Sequence, residues 1–263
     1  MVRVLLEHGM TKIEEYRKQL RQIENWEPFL LKHSGLPGPR GNIELAQAAA
    51  EEGQPKLFEQ YRSYTATIAP VNSQQEFLAF CGVLGLGRLI SEGAREDLKL
   101  LRKYASDTRW RIREAVAMAL QRVGEKNLPL LIEETRLWSR GNLYERRAAA
   151  AALCEPKLLN DVKQVEEILE ILDGITSSIL QIKDRKSDGF LCLRKGLAYC
   201  WSVAVSALPA IGKRYMETWF GHADKDIRWI MKENLKKKRL ERVDPNWVGK
   251  WKLELSTNPG DWT

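Results

Sequence analysis

A short frame recurs along the chain and fixes what it can fold into. An arginine is followed two residues later by a small or apolar residue and seven later by a large apolar one. The instances are Arg113, Ala115, Leu120; Arg146, Ala148, Leu153; Arg194, Gly196, Trp201; and, more loosely, Arg228, Ile230, Leu235. Successive arginines are 33, 48 and 34 residues apart. Two of these steps have the period of a two-helix repeat, and the third is longer by one insertion.

Each frame lies in a helical pattern. In the first, Ile112, Val116, Ala119, Leu120 and Val123 wind along one side at the 3.6-residue period. A second apolar stretch precedes each: Leu98-Leu100-Leu101-Tyr104, Leu128 to Leu137, Val165 to Leu172, and Ile211-Tyr215-Trp219-Phe220. From about residue 94 to 240 the chain therefore reads helix A, turn, helix B, four times. Such pairs cannot bury their faces alone and must stack. The expected fold is all-α, an α–α superhelix of stacked antiparallel helix pairs. Strand signals are scarce, and no Asn-Gly or Asp-Gly pair separates alternating runs.

Three segments follow from this reading. Residues 1–92 continue or cap the stack, with helices expected at about 11–32, 42–52, 55–66 and 73–91. Ser34 to Asn42, rich in glycine and proline, is a fixed turn that ends one helix and caps the next through Asn42. Residues 93–242 carry the repeats. The tail, 243–263, holds Trp247, Trp251 and Trp262 and is expected to fold back onto the last repeat, because solvated tryptophans are costly. Its Trp251 to Leu255 alternation is too brief for a strand.

Composition and motifs exclude several classes. Hydrophobic residues at 44% are too many for a disordered chain. The longest uncharged run, residues 196–212, is interrupted by Ser202, Ser206 and Pro209, so a buried helix is expected and not a membrane span. The first seven residues have too short an apolar core for a signal peptide, and Met10 offers an alternative start. The four cysteines, Cys81, Cys154, Cys192 and Cys200, form no Cys-x-x-Cys and read as reduced, mostly buried thiols of a cytoplasmic protein. None of the three histidines lies at ligand spacing from a cysteine or another histidine, so no metal is expected. The insertion Gln181 to Gly189 lacks the ligands of a calcium loop, since Lys186 takes a ligand position and Lys195 the closing one. Gly85-Leu86-Gly87 has Ile90 where a dinucleotide loop needs its third glycine, and close helix packing is expected there. No P-loop, nucleophile elbow or cofactor motif is present.

The net charge of +7 is local. Residues 209–242 hold ten Lys and Arg against five Asp and Glu, and residues 102–122 hold six against two. If the B helices line a groove, the face opposite the packing stripe displays Trp110, Glu114, Arg147, Lys195, Tyr199 and Trp229, with Met118, Ala151 and Glu233 one turn from the frame position. Cations can meet phosphates there, and rings offer stacking or cation–π surface. Lys236, Lys237, Lys238 and Arg239 are the densest positive run, either a solvated helix end favoured by the dipole or a phosphate contact.

The B-helix frame resembles that of HEAT repeats. The groove set is similar, over roughly residues 94–240, to the HEAT-like DNA alkylation repair family of glycosylases that excise cationic alkylated purines. Its Trp-x-x-x-Asp corresponds to Trp110-x-x-x-Glu114, its arginine before two small residues to Arg147-Ala148-Ala149, and its Lys-x-x-x-Trp to Lys195-x-x-x-Tyr199. The segments from Ala210 to Trp219 and from Lys225 to Asn234 resemble its final repeat. A weaker echo lies at Lys32-His33 and Gly35. The stretch from Ser34 to Arg40 looks more like uncharacterised bacterial HEAT-repeat proteins. The resemblance implies Glu114 as the stabiliser of an oxocarbenium-like sugar, Trp110 and Tyr199 as rings for the cationic base, and Arg147 on the backbone. Two departures stand against it: glutamate replaces the catalytic aspartate, and Tyr199 replaces a tryptophan. Two readings follow. One is a HEAT-repeat binding or scaffold protein whose partly basic groove holds duplex DNA or a protein. The other is an alkylpurine DNA glycosylase.

Overall fold

The computed structural model describes residues 10–257, which form fifteen α-helices, three short 3-10 turns and no strand. Expectations about the first nine residues and Trp262 lie outside the described residues. No helix among those described is long and apolar enough to cross a membrane. The chain divides into two compact units, Met1–Ala119 and Leu120–Thr263.

The first unit contains α1 (Lys12–Leu20), α2 (Trp26–His33), α3 (Ile43–Glu52), α4 (Pro55–Arg62), α5 (Gln74–Ser91), α6 (Leu98–Tyr104) and the start of α7 (Trp110–Lys126). Helix α5 is its axis. It is buried almost all round, from Glu76 to Gly87, which is why its sequence carries so little polar face. Helices α2, α3, α4 and α6 pack on it. The Gly85-Leu86-Gly87 run lies within α5 and serves close packing: a Cβ on Gly85 would sit 2.4 Å from the Phe58 ring, and one on Gly87 2.5 Å from the Ala119 backbone. Ser73 caps the helix through the Glu76 amide, and Asn42 caps α3 through the Leu45 amide.

The single helix expected over 11–32 is two. Its break has a local cause. Asn25 accepts from the Glu27 amide and starts α2, while the Trp26 indole donates to the carbonyls of Leu20 and Ile23 at 2.9 and 3.0 Å. The end of α1 thus finds its donors across the gap.

The second unit contains α8 (Leu128–Trp138), α9 (Leu143–Leu153), α10 (Val162–Ser178), α11 (Asp188–Ala207), α12 (Pro209–Phe220), α13 (Lys225–Leu235), α14 (Lys238–Val243) and α15 (Pro245–Thr257). Helices α8, α10 and α12 are successive neighbours in one layer, and α9, α11 and α13 in the other. The frame explains the stacking. Leu153, Trp201 and Leu235 are buried, as are Ala148 and Ile230 beneath them. Arg146 ties the start of its helix to the Gly141 carbonyl at 2.9 Å, and Arg194 reaches the Asp226 carboxylate at 2.5 Å. Asn234, fully buried on α13, accepts from the Ser202 amide and donates to the Leu197 carbonyl, pinning α13 against α11.

The tail is helical through α14 and α15. Trp247 and Trp251 lie against the Phe220 ring, with centroids 5.5 and 4.4 Å away, and the Trp247 indole donates to Glu217 at 2.6 Å. The charged connector before α11 is anchored from within. Asp184 accepts from the amides of Lys186 and Ser187, and Arg185 bonds Asp224 and Asp226. Burial raises the Asp224 carboxyl, but the Arg185 guanidinium and the amides of Ile227 and Asp226 hold it below the ordinary aspartate value.

Candidate functional sites

In the first unit the exposed face of α7 borders a cleft of about 250 Å³. Trp110, Glu114 and Met118, which follow one another at four-residue spacing on α7, all line it. Phe77 and Phe80 of α5, together with Leu36, Pro39, Arg40, Gly41 and Ile43, form the rest. The lining is largely apolar, with Arg40, Arg111 and Glu114 as its charged members. Trp110 is 45% exposed.

The loop from Ser34 to Asn42 is a built wall. Gly35 has φ +73°, a left-handed conformation that glycine adopts without a Cβ clash. The buried Ser34 hydroxyl accepts from the Leu36 amide, and Asn42 donates to the His33 carbonyl and the Tyr16 hydroxyl. From α7, Arg111 donates to the Gly38 carbonyl at 2.7 Å. The same guanidinium donates to Glu76, whose carboxylate also accepts from the Asn72 amide at 2.7 Å. Asn72 in turn accepts from the Gly38 amide at 3.0 Å. A buried ion pair therefore positions the loop opposite Trp110 and Glu114. Sequence reasoning missed this function of Arg111 and Glu76. The loop's glycine and proline spacing was the signal available, and its anchors come from far along the chain.

In the second unit, α11 presents Lys195 and Tyr199 one turn apart, both exposed. Arg147 of α9 lies beside them: its Cγ is 3.3 Å from where a Gly196 Cβ would stand. The run Lys236 to Arg239 is not the end of one helix. Lys236 caps the C-terminus of α13, Lys237 precedes α14, and Lys238 and Arg239 open it. This turn places Arg239 4.5 Å from the Tyr199 ring centroid and Lys237 5.8 Å away, and Arg239 also donates to the Tyr199 hydroxyl. Lys236 pairs with Glu233. Thus Arg147, Lys195, Tyr199, Lys237 and Arg239 form one cationic patch with an aromatic centre. Trp229 is engaged differently: Arg194 lies 4.5 Å over its ring.

Each of the three groove rings, including Trp110 and Tyr199 expected to hold the cationic base, thus already faces an arginine of the chain, since Arg111 lies 4.3 Å from the Trp110 centroid. These guanidiniums occupy ring surface that an external cation would use. Among the described residues no group of three or more His, Cys, Asp or Glu is placed to hold a metal ion. Comparison with protein-family models, curated proteins and solved structures finds no match.

Proposed function

We propose that the chain is a binding protein of the HEAT-repeat kind, and that it holds nucleic acid on the patch around Tyr199. The supporting observation is the cluster itself. A half-exposed ring is flanked by Lys237 and Arg239, with Lys195 and Arg147 alongside. Four cations suit a phosphate backbone, and an aromatic face among them suits a base or sugar. The test is duplex DNA affinity across a salt series. About four phosphate contacts give a log–log slope of about −3.5, and removing Lys237 and Arg239 together brings it down by about two. A flat slope, or no binding at low salt, overturns nucleic acid as the partner.

A second reading has one observation of its own. Trp110 and Glu114 line a common, largely apolar cleft, the pairing that a glycosylase for cationic purines would use. Glu114 would stabilise the sugar cation as the base departs, with its carboxylate one methylene further from the helix than in the family pattern. Incubation with methylated DNA checks it: released base in wild type and none in Glu114→Gln supports the assignment. No release by wild type retires it.

A further inference from the structure

A separate cleft lies in the second unit, lined by Arg136, Ser139, Arg140, Arg146, Glu170, Ile171, Gly174 and Ser178, with a volume of about 460 Å³. Its three arginines are in different states. Arg136 is engaged by Glu167 at 2.8 Å and approaches Glu170 at 3.7 Å. Arg146 is held rigidly, its Nε donating to the Gly141 carbonyl at 2.9 Å and one Nη to the Ser178 hydroxyl at 3.1 Å. Its other Nη has no partner among the described residues. The exposed Arg140 guanidinium has none either.

The facing surface of α10 is graded. Glu170, Gly174 and Ser178 follow at four-residue spacing, so the acidic group lies by Arg136 and the Arg146 anchor lies two turns away. Between them stands Gly174, in mid-helix. A glycine there weakens the helix relative to alanine. No packing reason offsets that, because a Cβ at this position would meet nothing within 4 Å. What the missing methyl leaves is open space along the exposed wall of the cleft that Arg140 and Arg146 also line.

We infer that this cleft binds a phosphoryl group between Arg140 and Arg146. Arginine forks suit phosphate oxygens, and a guanidinium already fixed by Gly141 and Ser178 loses little freedom on binding. The chemistry serves equally a small phosphorylated ligand and a nucleic-acid phosphate. The site is independent of the Tyr199 patch and does not rest on it.

The experiment uses the full chain in a buffer free of phosphate, titrated with inorganic phosphate at constant ionic strength set with chloride. Wild type is expected to bind saturably, with heat released in calorimetry. Arg140→Gln weakens binding by about tenfold, as loss of a charge-assisted hydrogen bond does. Gly174→Ala raises the thermal midpoint by about 2–4 °C yet also weakens phosphate binding, a divergence that a merely structural glycine would not produce. A short duplex is the second ligand. If its affinity falls in Arg140→Gln, the phosphate is that of nucleic acid; if it does not, the ligand is small. Absence of saturable phosphate binding by wild type, or wild-type affinity in either variant, overturns the inference.

Discussion

Arg111 and Glu76 form an ion pair 3.1 Å long whose side chains are 7% and 0% exposed. It joins α7 to the first turn of α5 and carries the Ser34–Asn42 loop through Gly38. A buried pair broken on one side leaves an uncompensated charge. Glu76→Ala and Arg111→Ala are each expected to cost about 3–5 kcal/mol, and the double change Glu76→Leu with Arg111→Met less than the sum of the singles. Urea denaturation measures all three. Single losses below about 1 kcal/mol would show that the loop is held by other contacts.

Acid should weaken the first unit through Glu52. Hydrogen bonds from Arg21 and Arg17 hold this carboxyl at about 2, below its ordinary value of 4.5. A depressed folded value means that the contribution is complete above the unfolded value near 4.5. It is lost as pH falls from there through about 2. Thermal midpoints of wild type and Glu52→Gln should therefore differ most above pH 5 and converge by pH 2. A constant difference would remove Glu52 from the acid response.

The same substitution should have opposite signs at two glycines. Gly87→Ala drives a methyl into the Ala119 backbone and is expected to cost about 1–3 kcal/mol. Gly249→Ala, on α15 with nothing within 4 Å, should stabilise by about 0.5–1 kcal/mol. Chemical denaturation of the two variants side by side decides this.

Asn234 should behave as a core residue although it is polar. Its amide bonds the Ser202 amide and the carbonyls of Leu197 and Ile230. Alanine there leaves buried groups without partners, each worth about 1–3 kcal/mol. A loss smaller than about 1 kcal/mol on equilibrium unfolding would mean that the neighbours re-pair.

The all-helical fold was legible because the frame records its own burial. Leu153, Trp201 and Leu235 occupy equivalent positions and are all inside. The break after Leu20 was not legible, since it depends on an indole reaching back to two carbonyls. Nor were α14 and α15, short segments outside the repeat frame that bury only Leu240, Val248 and Leu255 as a spaced apolar face. Of the candidate residues, the shared face of Trp110, Glu114 and Met118 follows from helical spacing, and the cleft they line does not. Its opposite wall comes from a loop some seventy residues earlier, fixed by the Arg111 contact to Gly38. The engagement of Tyr199 by Arg239 likewise depends on where a turn 40 residues away brings the guanidinium.

A row of stacked helix pairs ends in an unsatisfied greasy surface, onto which another such row could dock. In the second unit Trp247 and Trp251 cover Phe220, leaving it 2% exposed. Helix α15 thus covers an apolar surface of the second unit that would otherwise face solvent. A chain cut after Val243 should self-associate with rising concentration in sedimentation experiments, where the uncut chain does so less.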